Sequence, residues 1–139
     1  MRVILSPEQT DINSHKHIPD IKMFNSEVLD SECTDLICEN FISTFYFDEI
    51  QSVIRLIVSK MRINSLLTIQ EIDNRILSRR SYIEELELEQ INKLLFTTRR
   101  KSILTSDKIA SCIGDNMKLE NIHYDDTSCL AVMKYRRVS

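Results

Sequence analysis

Asp35-Leu36-Ile37-Cys38-Glu39, then Asp48-Glu49 and an apolar stripe, then Leu66-Leu67-Thr68-Ile69-Gln70-Glu71-Ile72-Asp73: this stretch sets the fold class. The first segment is a short apolar run ending on a carboxylate, the form of a strand. The middle carries Ile50, Val53, Ile54, Ile57, Val58 and Met61, spaced i, i+3, i+4, i+7, i+8, i+11. That is one face of a 3.6-residue period and predicts a helix opened by Asp48-Glu49. Arg62-Ile63-Asn64-Ser65 reads as the break after it, and Leu66 to Asp73 as a second strand. Two strands joined by a helix that buries one face against them make a parallel, right-handed βαβ unit.

Outward from this unit, Arg2 to Ser6 reads as a first strand stopped by Pro7, which has no amide hydrogen for a ladder. Ser6 to Asp11 is a loop. His17 to Phe24 reads as extended, with Pro19 making it an edge strand or a loop, and Asn25 to Thr34 as a loop with one helical turn. On the other side, Asp73 to Tyr82 reads as a short helix and Glu84 to Phe96 as a clearer one, on Leu88, Ile91, Leu94 and Leu95. Thr97 to Thr105 is a basic connection. Ser106-Asp107 has N-cap chemistry for a helix that buries Ile109, Cys112 and Ile113 and ends at Gly114. Lys118 to Tyr124 and Ser128 to Arg137 read as strands around a turn at Asp125-Asp126-Thr127. The last strand alternates Cys129, Ala131, Met133 and Tyr135 against Leu130, Val132, Lys134 and Arg136. The expected fold is α/β, with a mainly parallel sheet ending in an antiparallel hairpin.

With 139 residues the expectation is one domain, residues 1–139, with one sizeable core. A net charge of −3 argues against a general nucleic-acid or membrane-surface binder. No stretch approaches the ~18 apolar residues of a membrane span, and Val3-Ile4-Leu5 is too short for a signal peptide, so a cytoplasmic location is expected. Cys33, Cys38, Cys112 and Cys129 fall at strand or apolar helix positions and read as core thiols in a reducing compartment. At the usual share of about 7% the chain would hold roughly ten glycines. It holds one, Gly114. Phosphate-cradling loops use glycine to bring backbone against the ligand, so no such loop is expected.

The order of elements resembles the class I methyltransferase fold, the Rossmann-like sheet that binds S-adenosylmethionine. Asp35 to Ile42 followed by Phe47-Asp48-Glu49-Ile50 resembles the fourth-strand region of small methyltransferase-like proteins, including those carried by bacteriophages. Ser59 to Ile69 resembles the text leading into the fifth strand of that family. Leu94-Leu95-Phe96, Ser102 to Ile109 and the terminal hairpin continue the likeness along nearly the whole chain. The resemblance places a cofactor site at Ser6, Asp20 and Glu39. It also shows departures. Where the family has a glycine-rich loop, this chain has Ser6-Pro7-Glu8-Gln9, without glycine and with a carboxylate near where the cofactor's own would lie. The turn before the fifth strand carries Asn64-Ser65 in place of glycine, and the segment between the second and fourth strands is too short for a full third strand and helix.

From these departures the favoured expectation is a non-catalytic binding or structural protein on a methyltransferase-like scaffold, with no catalytic residue, no cofactor and a protein partner, in a host cytoplasm or a viral particle. The alternative is an active S-adenosylmethionine-dependent methyltransferase of unknown acceptor. An oligomer is left open. Asp20 and Glu39 read either as ribose or substrate ligands or as solvated strand-end carboxylates. His15, His17, Cys33 and Cys38 lack metal-site spacing; the two histidines read as exposed loop residues and His123 as a hydrogen-bonded packing residue. Arg75, Arg79 and Arg80, then Arg99, Arg100 and Lys101, then Lys134, Arg136 and Arg137 form basic clusters, a patch for an acidic partner or a solvated face. Phe41, Phe45, Tyr46 and Phe47 read as a helix anchor or as an aromatic contact for a partner.

Overall fold

The computed structural model describes residues 1–10, 14–96 and 99–139. Among these, six strands form one sheet: β1 (Arg2–Leu5), β2 (Lys16–Ile18), β3 (Cys33–Glu39), β4 (Met61–Ile72), β5 (Met117–Asp125) and β6 (Leu130–Arg137). Their order is β2-β1-β3-β4-β6-β5. The pairs β1–β2, β1–β3 and β3–β4 are parallel, while β4–β6 and β5–β6 are antiparallel. The helices are α1 (Ile21–Glu27), α2 (Ile50–Ser59), α3 (Asn74–Tyr82), α4 (Leu88–Phe96) and α5 (Ser106–Ile113). None is long and apolar enough to cross a membrane.

Strand parity explains the layering. Val3, Leu36, Leu67 and Tyr135 lie in one row of the sheet, and Leu5, Cys38, Ile69 and Met133 in the next. All eight are buried, in one core with Phe24 of α1, the Ile50 to Val58 stripe of α2, and Ile109, Cys112 and Ile113 of α5. Of the opposite parity, Ile4 and Ile72 are buried, while Ile37, Leu66, Thr68, Gln70 and Val132 are only half-buried. A parallel sheet normally has both faces covered; here three helices cover one. A smaller cluster joins Ile72 and Cys129 to Ile76 and Leu77 of α3 and to Leu86, with Ile91, Leu94 and Leu95 of α4 against it.

Several local readings change. Arg62 to Ser65 is no turn: β4 starts at Met61, and the extra residues form a bulge between the Cys33–Met61 and Asp35–Leu66 pairs. Asn64 sits there at φ 70, a conformation that asparagine tolerates. His17 to Phe24 is extended only as far as Ile18, because the Asp20 side chain accepts from the Lys22 amide and caps α1. The α5 cap is Thr105, whose side chain accepts from the Lys108 amide, rather than Ser106-Asp107. Cys129 lies in the β5–β6 turn at φ 58, not in a strand. The first two positions of the predicted basic connection, 97 and 98, lie outside the described residues, as do positions 11–13 of the first loop.

Two buried carboxylates hold the C-terminal end of the parallel strands. Asp73, 2% exposed, accepts from the Arg75 amide at 2.8 Å and from the Ser106 amide at 3.0 Å, fixing the starts of α3 and α5. Glu71 has the parity of Leu67 and Ile69 and is 1% exposed. It accepts from the Ser43 amide at 3.0 Å and from Arg100 Nη1 at 3.3 Å. The same Nη1 donates to Ser43 Oγ at 2.8 Å, and the Ser43 carbonyl accepts from the Lys101 and Ser102 amides. Glu71 thereby ties β4 to the 3-10 turn Ile42–Thr44 and to the chain entering α5. Burial pushes its carboxyl above the ordinary range, against the pull of the two Ser43 groups and of Arg100.

Ile54→Ala is expected to cost about 2–5 kcal/mol in urea unfolding; a loss below about 0.5 kcal/mol would mean that the α2 stripe does not form the core. Glu71→Ala is expected to cost about 3–5 kcal/mol, because Arg100 is left buried without its counter-charge, with Glu71→Gln milder. A carboxyl with a raised folded pKa contributes fully below its ordinary value of 4.5 and loses that contribution as pH rises through the folded value. The stability of the native chain relative to Glu71→Gln is therefore expected to fall as pH rises above 4.5. An unfolding series that shows the opposite slope would refute the raised carboxyl.

Candidate functional site

Open α/β sheets bind ligands beyond the carboxyl ends of their parallel strands. Three clefts lie there. One of about 130 Å³ is lined by residues 6–10 after β1 together with Glu39 and Asn40 at the end of β3. One of about 270 Å³ lies beyond β2, between Pro19, Asp20 and Ile21 on one side and Phe41, Thr44 and Phe45 on the other, with Arg99 and Lys101 at its rim. Pro7 lines both. The third, about 230 Å³, is lined by Asn40, Ile72, Leu94, Arg100, Ser128 and Leu130, with Lys93. A cavity of about 390 Å³ is at the opposite end of the sheet, between the C-terminal ends of α2 and α5 and Arg137. It lies away from the strand ends where this architecture places ligands.

The three site residues expected from the sequence all reach this crevice, Ser6 and Glu39 in one cleft and Asp20 in the next. Ser6 is 3% exposed; its amide donates to the Ile18 carbonyl and its Oγ accepts from the Glu8 amide at 3.3 Å. With proline at position 7, the amides of residues 6–8 offer nothing further to a ligand. Asp20 is exposed and holds the Lys22 amide at 2.6 Å, leaving its second carboxylate oxygen to the cleft. Glu39 is half-buried at the last position of β3.

Of the buried side-chain atoms without a partner among the described residues, Tyr135 Oη lies apart in the core, and the other three belong to residues that line these clefts. Thr10 Oγ1, Asn40 Oδ1 and Arg100 Nε are buried with no partner among the described residues, a condition that costs about 1–3 kcal/mol for each group. Asn40 was not singled out from the sequence. It ends β3 at φ 51 and donates its amide to the Gln70 carbonyl at 2.9 Å. An asparagine directly after a strand-ending carboxylate is the signal that marks it, since asparagine enters the left-handed region more readily than most residues. Glu71 and Arg100 were missed as well. For Glu71 the signal is a carboxylate on the buried parity of an apolar strand.

The remaining candidates separate. His15 and His17 are half-buried rather than exposed: His15 Nε2 lies 3.1 Å from Asp35 and His17 Nε2 3.0 Å from the Ser6 carbonyl. His123 is exposed on β5. Burial pushes the Cys33 thiol up to about 11 and the Cys38 thiol further in the same direction, so neither supplies a thiolate near neutral pH. The basic clusters are largely spent within the chain. Arg75 pairs with Asp107, Arg79 with Asp126, Arg80 with Glu85, Arg136 with Glu120, and Arg137 Nη1 donates to the Val58 carbonyl. The aromatic run divides: Phe41 is buried edge-on to Phe45 at 5.5 Å between ring centres, whereas Tyr46 and Phe47 are exposed beneath Lys101 and Lys108.

No family model matches the sequence, and neither does any curated protein. Solved structures do match. A 1,6-didemethyltoxoflavin-N1-methyltransferase from Burkholderia thailandensis, solved with its substrate and S-adenosylhomocysteine, aligns at TM-score 0.60 and 10% identity over 99% of this chain and 62% of that one. A magnesium protoporphyrin IX methyltransferase from Synechocystis with bound S-adenosylhomocysteine aligns at TM-score 0.58 and 13% identity over 88% of this chain and 51% of that one. A methyltransferase from Archaeoglobus fulgidus aligns at TM-score 0.58 and 10% identity over 96% and 75%. The chain spans about half the length of several of these matches, 50% and 44% in two of them. The comparison corrects the expectation that no cofactor is bound. Two of these matches were solved with S-adenosylhomocysteine bound, so the glycine-free loop after β1 was too narrow a ground for excluding a ligand from a chain of this fold. The chain has the Rossmann-like fold of the class I S-adenosylmethionine-dependent methyltransferases, with a parallel body and an antiparallel end.

Proposed function

We propose that the crevice beyond β1, β2 and β3 binds S-adenosylmethionine and that the chain is a methyltransferase-type domain. The observation that carries this reading is the placement of two carboxylates, and of a hydroxyl with no partner among the described residues, around adjoining clefts at the strand ends. Asp20 accepts from the ribose hydroxyls through its second oxygen. Phe41 and Phe45 give the wider cleft an apolar wall for the flat base. Glu39 and Thr10 face the cofactor's ammonium end, where Thr10 Oγ1 finds a partner. When bound, the sulfonium supplies an activated methyl group. The chain's part is to bind and align, which is most of what methyl transfer asks of a protein. The amides of residues 6–8 are consumed internally, so side chains hold the amino-acid end.

A second reading is a protein-binding role. Tyr46 and Phe47 are 57% and 56% exposed, and each lies under a lysine ammonium, at 4.7 Å and 4.4 Å from the ring centre. These rings stand beside the crevice, so a partner docked there would border it.

Isothermal titration tests the first reading. A dissociation constant in the low micromolar range for S-adenosylmethionine is expected. Asp20→Asn keeps the α1 cap but removes the charge, and is expected to weaken binding about tenfold with unfolding unchanged. No heat with either S-adenosylmethionine or S-adenosylhomocysteine, or binding indifferent to Asp20→Asn, would overturn it.

A further inference from the structure

The sheet face turned away from α1, α2 and α5 keeps an uncovered floor. Three rows cross it: Asp35–Leu66–Arg136, Ile37–Thr68–Lys134 and Glu39–Gln70–Val132. Leu66, Ile37 and Val132 are half-buried there and belong to neither apolar cluster. The floor has walls. At the strand ends α3 and α4 pack over Ile72 and Leu130 on this same face. Toward β1, Ile4 is fully buried and His15 is bonded to Asp35. From β3 to β6 is two strand spacings, about 10 Å, and from Leu66 to Gln70 is about 13 Å along β4. That is the width of one α-helix, over about nine residues of its length.

The charges on these rows are one-sided. Asp35 is held by His15, and Arg136 by Glu120. Arg2 and Lys118 extend the Asp35–Arg136 row on either side. Together with Lys134 they are exposed and form no ion pair among the described residues. Glu39, at the crevice end, is the only carboxylate on the three rows without an ion pair among those residues. A second copy would bring the same cations face to face, and a flat bilayer meets α3 and α4 before the floor. Helices are what covers the faces of parallel sheets. We propose that this face is the docking site for an amphipathic helix of a partner protein. Its apolar stripe rests on Leu66, Ile37 and Val132, and carboxylates along its flanks meet Lys134, Lys118 and Arg2. The contact is separate from Tyr46 and Phe47, which precede α2 on the other face, and it does not depend on what the crevice binds.

The probe is a stapled helix of about 14 residues with a leucine stripe and glutamate flanks, and its counterpart is the same helix with lysine flanks. Amide NMR of the full chain follows both. Saturable shifts centred on Leu66, Thr68 and Val132 are expected for the acidic helix. Its dissociation constant is expected below about 100 µM, with the lysine form at least about tenfold weaker. Thr68→Arg, which fills the floor, is expected to abolish binding. Lys134→Glu, at an exposed side chain, is expected to weaken the acidic helix about tenfold and to strengthen the lysine form. No saturation by the acidic helix below about 1 mM overturns the site, as does equal or tighter binding of the lysine form, shifts centred elsewhere, or affinity unchanged in either variant. A dimer in sedimentation at about 100 µM that Thr68→Arg dissolves would assign the face to a second copy. Flotation with vesicles of equal phosphatidylglycerol and phosphatidylcholine that Thr68→Arg prevents would assign it to a bilayer. Either result overturns the partner helix.

Discussion

Glu71 ties the end of the sheet to two segments far apart in the chain. A carboxylate at 1% exposure is costly, and it persists only because Ser43 and Arg100 meet it within the core. Those partners come from segments far apart in the chain, the turn after β3 and the entry to α5. The bond network therefore fixes where each segment runs over the sheet end. Asn40 and Phe41, which border the crevice, lie just before that turn, and Arg99 and Lys101 flank the guanidinium. The apolar layer of β1, β3, β4 and β6 over α2 and α5 supplies cohesion, which is not directional. The buried ion pair supplies position.

Much of the framework was legible because it is periodic. The α2 stripe from Ile50 to Val58 and the alternation of Ala131, Met133 and Tyr135 on β6 each repeat a burial pattern that the sequence spells out directly, and all of these residues are buried. What was misread lacked a repeat. α1 buries a single side chain, Phe24, so no stripe announces it, and its start depends on one bond from Asp20 to the Lys22 amide. The Arg62 to Ser65 bulge carries turn-like residues inside a strand, and only pairing with β3 reveals that the strand continues.

What the sequence made legible here is position: Asp20 and Glu39 were expected near strand ends and Ser6 by resemblance, and all three line clefts at the end of the sheet. Excluding a cofactor from the loop after β1 alone was too narrow, because the clefts at the strand ends are lined by four separate segments, and a missing glycine in one says little about the others. Asn40, Thr10 and Arg100 stand out through buried atoms with no partner among the described residues, a property of three-dimensional surroundings that no local pattern encodes.

The outermost position of β5 has a consequence of another kind. Nine residues long and mostly exposed, it leaves one row of backbone donors and acceptors unpaired along the side of the sheet away from β6. Such an edge invites another chain to add a strand, the first step of aggregation. The register shift between Leu119 and Asn121 interrupts the row near its middle, and Lys118 and Glu120 stand on the exposed stretch. An incoming flat strand meets a twist and charged side chains before it can form more than a few consecutive bonds. This edge is thus guarded in part by an irregularity that adds nothing to the core.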